Sequence, residues 1–316
     1  MTTQKHQKRL FMTGASGYIG SVITELAIAD GYHVHGLSRT EASDAKLGSL
    51  GAVPVRGDLS SLDVLRHESA EADVVIHLAT AYTLSEPSYD AAWPVDKAAL
   101  DAVAGSLAGT DKPLVMTSGT LIVAADPAGA ETTEESPEDP EPINSRGKAE
   151  QYALGLARRG VRVTVVRLAP YVYGRGGSGV RLFMNMAAEA GGVTCVDGGK
   201  NHITAVHVDD AARLYLQAAR SGKAGEVFNA SGATDVTARQ LFEAMAEALR
   251  LPVWDITFAD AEARMGETFA LFLTAENRAS GAKAAKELGW QPEGRGVLED
   301  ISKGSYQAVA EVLRKK

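Results

Sequence analysis

The segment Thr13-Gly14-Ala15-Ser16-Gly17-Tyr18-Ile19-Gly20 is the strongest indication of fold in this chain. An apolar run precedes it and an apolar-periodic segment follows it, which predicts a strand, a tight turn and a helix. Gly14 permits the turn, Gly17 lets the backbone approach a pyrophosphate, and Gly20 lets the helix pack on the sheet. The N-terminus of that helix offers free N–H groups and a positive dipole end to phosphates. The stretch therefore predicts a dinucleotide-binding loop.

Short apolar runs recur along the first half of the chain and alternate with helical patterns, which predicts βαβ units and a parallel sheet. The runs after the glycine-rich loop are residues 33–37, 53–55, 74–78, 114–116 and 163–166. They are continuous rather than alternating, as in strands that are covered on both faces. We expect an α/β protein with a doubly wound parallel sheet of the Rossmann type and a smaller C-terminal α/β substrate lobe.

The expected domains follow from this pattern. Residues 1–173, with part of 203–230 returning, form the cofactor-binding Rossmann domain, and residues 174–316 mainly form the substrate-binding lobe. In the second half, strands are predicted at residues 193–196, 203–206 and 226–229. Helices are predicted there at residues 209–221, 237–250, 279–288 and 296–312.

Residues 126–142 interrupt the pattern with four prolines and seven acidic residues. This composition cannot form a core element and predicts an exposed, mobile loop. The alternative interpretation is a lid over a cleft.

Composition excludes several classes of protein. The net charge of −8 argues against a nucleic-acid partner, and the single Cys195 excludes an internal disulfide and a cysteine-based zinc site. No stretch approaches 18 uninterrupted apolar residues, so no membrane span is expected. We expect a cytoplasmic protein without a metal, with a small molecule as its partner. The choice between monomer and homodimer stays open.

The end of the second predicted strand bears on the choice of cofactor. An NAD site usually places Asp or Glu about 20 residues after the glycine-rich loop, to bind the ribose 2′-hydroxyl. Here the segment is Leu37-Ser38-Arg39-Thr40, and the first acid is Glu41. A guanidinium suits a 2′-phosphate and cannot replace a carboxylate acceptor, which favours NADP(H).

At this point the sequence resembles the short-chain dehydrogenase/reductase superfamily, in its extended or atypical branch, which is epimerase/dehydratase-like. The likeness covers about residues 9–220, and its further landmarks are Gly57-Asp58-Leu59, His77-Leu78-Ala79, Met116-Thr117-Ser118, residues 167–174 and residues 205–211. The resemblance implies that Asp58 and Leu59 flank the adenine, Leu78 and Ala79 the ribose and phosphates, and Pro170 the nicotinamide end. The candidate cofactor-binding residues are thus Gly14, Ser16, Gly17, Tyr18, Ile19, Ser38, Arg39, Asp58, Leu59, Leu78, Ala79, Thr80, Thr117, Lys148 and Pro170.

The catalytic pattern of that superfamily is incomplete here. Its members carry Tyr-x-x-x-Lys on a helix and a Ser or Thr beyond the fifth strand. Lys148 is in register, but Asn144 stands at the tyrosine position and Gly119 at the serine position. On a helix predicted over residues 144–159, Asn144 would lie one turn before Lys148. An amide donates a hydrogen bond but does not transfer a proton.

Another group must therefore supply the acid, and the candidates are Tyr82, Tyr171, Tyr173, His207, or a water held by Ser118, Thr120 and Asn144. The candidate catalytic residues are Lys148, Ser118, Thr120, Asn144, Tyr82 and Tyr173. The favoured function is an NADP(H)-dependent oxidoreductase that reduces a carbonyl or related C=X bond of a small organic molecule. The alternatives are a non-catalytic NADP(H)-binding sensor, and an epimerase or lyase of the same family.

Overall fold

The computed structural model describes residues 7–82 and 88–315. Within these ranges the strands are β1 (Arg9–Thr13), β2 (His33–Ser38), β3 (Val53–Arg56), β4 (Val74–His77), β5 (Pro113–Gly119), β6 (Arg162–Leu168), β7 (Tyr171–Tyr173), β8 (Val193–Val196), β9 (His202–His207), β10 (Glu226–Ala230), β11 (Ala233–Thr237) and β12 (Val253–Ile256). The helices are α1 (Tyr18–Ala29), α2 (Glu41–Ser49), α3 (Leu62–Glu71), α4 (Tyr89–Leu107), α5 (Gly147–Ala157), α6 (Ser178–Ala190), α7 (Val208–Ser221), α8 (Ala238–Leu249), α9 (Phe258–Met265), α10 (Glu267–Thr274), α11 (Ala282–Leu288), α12 (Val297–Lys303) and α13 (Gln307–Leu313).

The chain forms two compact units, each assembled from three segments. Unit 1 comprises residues 1–118, 145–167 and 212–228, and unit 2 comprises residues 119–144, 168–211 and 229–316. The segment that returns to unit 1 lies inside the predicted 203–230. Residues 119–144 and 168–173, which the sequence places in the Rossmann domain, belong to unit 2.

The large sheet has seven strands in the order β10-β6-β5-β4-β1-β2-β3. The pairs β1–β2, β2–β3, β1–β4 and β4–β5 are parallel. This order confirms the predicted doubly wound Rossmann fold. The strand order reverses between β1 and β4, and ligands of such sheets bind at that switch point, outside the carboxyl ends of the strands.

The core of unit 1 explains the continuous apolar runs. Leu10, Phe11 and Met12 of β1 are fully buried, and every residue of β4 is buried. Strands that are covered on both faces have no solvent side, so apolar residues occupy successive positions. The carboxyl ends of these strands are thereby held in a rigid frame.

Unit 2 contains two small sheets. In the order β11-β9-β7, β7 is parallel and β11 antiparallel to β9, while β12 pairs with β8 in parallel. Its core joins buried residues of these strands to the apolar faces of α6 and α8, including Met184, Leu241, Phe242 and Met245. Among residues 7–82 and 88–315, none of the helices has both the length and the apolarity that crossing a bilayer requires.

Three expectations are corrected. The helix predicted over residues 296–312 is two helices, α12 and α13, because the Asp300 carboxylate folds back to accept hydrogen bonds from Ser305 N (2.8 Å) and Ser305 Oγ (2.7 Å). The helix predicted over 144–159 begins only at Gly147, so Asn144 lies before it. The expected mobile loop is anchored within unit 2: Thr132 is buried and donates its N–H to Arg278 O (3.0 Å), and Glu134 accepts the N–H of Asn229 (2.8 Å).

Candidate functional site

The glycine-rich loop has the geometry of a phosphate cradle. Gly14 has a φ of +74°, and the N–H of Gly17 donates to Gly14 O at 3.0 Å. A Cβ on Gly20 would lie 2.1 Å from Gly14 O, so only glycine fits there. No side chain caps the N-terminus of α1, and its first turn carries no acid. The amides that begin α1 therefore suit an anion, as the sequence predicts.

The loops that follow β1 and β4 meet at the switch point. Thr13 Oγ1 accepts the N–H of Ala79 at 3.2 Å and lies 3.1 Å from His77 Nδ1. A Cβ on Gly14 would be 3.2 Å from both Ala79 N and Leu78 Cβ. Gly14, Leu78 and Ala79, which were predicted to bind one ligand, are thus adjacent.

Two cations belong to the segment that follows β2. Arg39 is exposed and makes no ion pair with any described residue, whereas Lys46 on α2 donates from Nζ to Ser16 O at 2.7 Å. Ser38 is buried, and its hydroxyl donates to Thr40 O. Lys46 is not among the residues predicted from the sequence, because a lysine on a short exposed helix carries no signal of its contact with a loop 30 residues earlier.

Asp58 and Leu59 form a local turn in unit 1. The Asp58 carboxylate accepts the N–H of Ser60 (2.8 Å) and the hydroxyl of Ser61 (3.1 Å), while Leu59 is buried. These bonds fix the chain between β3 and α3.

A buried polar network supports the loop after β4, and the sequence argument missed it as well. Asp96 of α4 accepts hydrogen bonds from Thr80 Oγ1 (2.7 Å), Ala81 N (2.6 Å) and Tyr89 Oη (3.3 Å). Burial, followed by the charge of Asp96, raises the pKa of Tyr89 to about 12. The one available signal was a carboxylate within an otherwise apolar stretch of α4.

A cavity of about 20 Å³ adjoins this network. Its lining includes four of the predicted cofactor residues, Leu78, Ala79, Thr80 and Thr117, together with Arg146 at the start of α5. A cavity this small holds about one water molecule, so it is not large enough for a ligand.

The hydroxyls at the end of β5 differ in their partners. Thr117 Oγ1 donates to His77 O (3.1 Å) and bonds Tyr215 Oη (2.7 Å), while Thr120, in unit 2, donates to Asn277 Oδ1 (2.8 Å). Ser118 is 3% exposed, and its Oγ has no hydrogen-bond partner among the described residues. Buried hydroxyls are nearly always bonded, so Ser118 is the hydroxyl here that lacks its expected partner.

Lys148 forms an exposed ion pair in unit 1. Its Nζ lies 2.6 Å from Asp90 Oδ1, which also accepts the hydroxyl of Ser145 at 2.8 Å. The hydrogen bonds from Lys148 and Ser145 lower the pKa of Asp90. Asn144 belongs to unit 2 and lies three residues before α5.

The two candidate tyrosines have different surroundings. Tyr82 is half-buried with its ring 5.8 Å from that of Tyr89, and its hydroxyl bonds none of the described residues. Tyr173, in unit 2, is buried and donates its hydroxyl to Arg295 O at 2.8 Å. Burial raises the pKa of Tyr173. Pro170 lies between β6 and β7 in unit 2.

Comparison with known proteins supplies the family. The model of the NAD dependent epimerase/dehydratase family matches residues 10–231. The Saccharomyces cerevisiae protein YLL056C is 34% identical over 296 residues, which is 93% of this chain and 97% of that protein. A Stigmatella aurantiaca 4-hydroxy-2-methyl-3-oxo-4-farnesyl-3,4-dihydroquinoline-1-oxide ketoreductase is 27% identical and covers 89% of this chain and 86% of its own.

Solved structures agree on the fold. The UDP-glucose 4-epimerase of Thermotoga maritima superposes with a TM-score of 0.77 at 21% identity, over 96% of this chain and 99% of that one. The glycine-rich loop, the strand order and the family match all agree with the resemblance seen in the sequence. The chain belongs to the NAD dependent epimerase/dehydratase family, in the extended branch of the short-chain dehydrogenase/reductase superfamily.

Proposed function

We propose that this protein is an NADP(H)-dependent oxidoreductase that reduces the carbonyl or a related C=X bond of a small organic molecule. The observation that carries the proposal is the buried, unpartnered hydroxyl of Ser118 at the carboxyl end of β5. When a carbonyl oxygen accepts this hydrogen bond, the carbonyl carbon becomes more electrophilic. The bond also gives the Ser118 hydroxyl the partner that it otherwise lacks. The Stigmatella relative, by its name a ketoreductase, supports the same class of reaction.

The residues around the glycine-rich loop fit the cofactor. The backbone from Gly14 to Tyr18 holds the pyrophosphate, with Leu78 and Ala79 beside it. Arg39 and Lys46 bind the 2′-phosphate, since both are cations and Lys46 already contacts the loop through Ser16 O. Glu41, the nearest acid in sequence, is exposed.

Lys148 binds the nicotinamide ribose after leaving Asp90. Both side chains of this pair are more than half exposed, and surface ion pairs of this kind contribute little to stability. The ammonium therefore exchanges its partner at little cost. The ribose hydroxyls offer acceptors in place of the Asp90 carboxylate.

The chemistry divides between cofactor and protein. The bound cofactor supplies a hydride to the carbonyl carbon. Ser118 donates a hydrogen bond to the carbonyl oxygen, and Tyr82, whose hydroxyl bonds no described residue, gives that oxygen a proton to complete the alcohol. We prefer Tyr82 to Tyr173, since Tyr173 already donates to Arg295 O.

The test is NADPH consumption against a panel of aldehydes, ketones and imines, with Ser118→Ala and Tyr82→Phe as variants. We expect turnover with NADPH that either variant lowers about 10²–10⁴-fold, the usual contribution of a positioned acid or oxyanion donor. Thr110→Ala is the control, because Thr110 Oγ1 donates to Leu107 O beyond the end of α4. Turnover that both variants retain would overturn these roles.

One observation favours each of the two alternative functions. A sensor that binds NADP(H) without turnover is favoured by position 144, four residues before Lys148, which is Asn instead of Tyr and lies outside α5. An epimerase is favoured by the fold shared with the Thermotoga enzyme. Tight NADPH binding without turnover on the whole panel would support the sensor, and interconversion of UDP-glucose and UDP-galactose would support the epimerase.

A further inference from the structure

We propose that unit 2 binds an uncharged aromatic or polycyclic ketone through the Tyr171 hydroxyl and an aromatic cluster that includes the Tyr171 ring, an inference that rests on the proposed oxidoreductase. The cluster comprises Tyr171 of β7, Phe183 of α6, and Phe269 and Phe272 of α10. All four residues belong to unit 2.

The first observation is the Tyr171 hydroxyl itself. Tyr171 is 4% exposed, and its Oη has no hydrogen-bond partner among the described residues. A buried tyrosine hydroxyl usually finds a partner, as Tyr173 does with Arg295 O and Tyr215 does with Thr117. We therefore expect the Tyr171 hydroxyl to donate to an acceptor on a ligand, and a carbonyl oxygen is such an acceptor.

The second observation is the set of aromatic rings near the Tyr171 ring. The Tyr171 ring lies 5.4 Å from that of Phe272 and 6.2 Å from that of Phe183, both at tilted angles. Phe269 continues the cluster, 5.8 Å from Phe183 and 6.4 Å from Phe272. These separations are those at which aromatic rings attract one another, so a further flat ring can pack against them.

The third observation is exposure. Phe183, Phe269 and Phe272 are each only partly buried, so apolar ring surface remains in contact with water. Covering that surface with an apolar ligand is favourable, whereas an anionic ligand would lose hydration against the negative faces of the rings. A cationic group is attracted to ring faces, but it offers no acceptor for the Tyr171 hydroxyl. The cluster thus selects an uncharged ring system with one hydrogen-bond acceptor.

Burial also keeps the Tyr171 hydroxyl in its donor form, because it raises the pKa of that group. Tyr171 therefore acts as a hydrogen-bond donor in substrate binding, and the acid that completes the reduction is another group.

The experiment measures binding separately from turnover. 2-Acetylnaphthalene and 2-ethylnaphthalene have nearly the same shape, and the first alone has a carbonyl oxygen. Their dissociation constants are measured by ligand-observed NMR for the full-length protein and for Tyr171→Phe. We expect the native protein to prefer the ketone about three- to tenfold, as one neutral hydrogen bond provides, and Tyr171→Phe to lose that preference.

Two further variants sharpen the test. Phe272→Ala is expected to weaken both ligands alike, since it removes ring surface and no donor. Tyr152→Phe removes a hydroxyl that bonds Asp101 in unit 1 and is expected to change neither dissociation constant. Because the Tyr171 hydroxyl has no partner, Tyr171→Phe is also expected to melt at or above the native temperature, which separates ligand effects from misfolding.

A ketone preference that survives in Tyr171→Phe, or failure of both naphthalenes to bind, would overturn the inference. Displacement of 2-acetylnaphthalene by UDP-glucose at lower concentration would also overturn it, in favour of a nucleotide-sugar ligand. Failure of the proposed oxidoreductase is a separate result, since it appears as absent NADPH turnover while naphthalene binding persists.

Discussion

At the level of single residues, we propose that the two cations that follow β2, Arg39 and Lys46, determine the choice of cofactor. Lys46→Glu or Arg39→Asp is expected to weaken NADPH binding by about 1.5–3 kcal/mol, the value of a hydrogen bond to a charged group. NADH lacks the 2′-phosphate, so its affinity should change little. Dissociation constants from fluorescence titration test this prediction. Lys112→Glu is a matched control, since Lys112 also donates to a backbone carbonyl, Ala70 O, in unit 1. Equal affinities of the native protein for both cofactors would contradict it.

Lys148 and Asp90 are linked by their ion pair. If Lys148 binds the ribose without acting on a tyrosine, Lys148→Met should weaken NADPH binding and leave part of the turnover. Asp90→Asn should strengthen NADPH binding slightly, because it removes the competing carboxylate. Calorimetric titration and initial rates measure both effects. Complete loss of turnover at unchanged cofactor affinity would instead mean that Lys148 takes part in proton transfer.

At the scale of elements, His77 joins the ends of β1 and β4 and makes the fold sensitive to acid. Burial lowers the pKa of His77 from 6.5 to about 4, so the folded state holds this ring neutral. A group whose folded pKa is depressed contributes stability above its unfolded pKa, and that stability is lost as the pH falls from about 6.5 towards 4. When the pH falls from 7 to 5, the free energy of unfolding should decrease in both proteins, and the decrease should be about 2 kcal/mol smaller in His77→Asn than in the native protein. Urea denaturation at the two pH values measures this difference. Equal decreases in the two proteins would contradict the assignment of the effect to His77.

Elements with strong local signals were predictable from the sequence. The glycine-rich loop, β4 and α8 follow from glycine spacing, a continuous apolar run and apolar periodicity, all of which act over neighbouring residues. The break between α12 and α13 was missed, because it depends on Asp300 turning back to Ser305. The start of α5 was missed because Ser145 bonds Asp90, 55 residues away, and does not cap the helix.

The candidate site was predictable to a lesser degree. Residues fixed by backbone geometry, such as Gly14 and Ala79, lie together as expected. Lys46, Asp96 and the availability of Ser118 were beyond the sequence, since each depends on a long-range contact or on the absence of one. Strands and helices depend mainly on neighbouring residues, whereas the hydrogen-bond partners of a side chain depend on the whole fold.

At the scale of the whole molecule, the two proposals assign one ligand to each unit. With the exception of Pro170, every predicted cofactor residue belongs to unit 1, and the aromatic cluster belongs to unit 2. Ligand binding suppresses local opening where the ligand binds, so hydrogen exchange should report the two ligands separately. NADP⁺ is expected to slow exchange in peptides covering residues 13–20 and 77–81, while 2-acetylnaphthalene slows it in peptides covering 171–173 and 267–274.

The peptide that contains Pro170 joins these two expectations. Pro170 is the one predicted cofactor residue that unit 2 contributes, and it immediately precedes Tyr171. If Pro170 binds the nicotinamide, as the resemblance implies, amides of residues 171–173 should be slowed by NADP⁺ alone as well as by 2-acetylnaphthalene alone. In Tyr171→Phe the effect of NADP⁺ should persist while that of the ketone falls. Protection by the ketone that is confined to unit 1 would contradict this assignment, because the ligand would then occupy the cofactor cleft instead of the aromatic cluster.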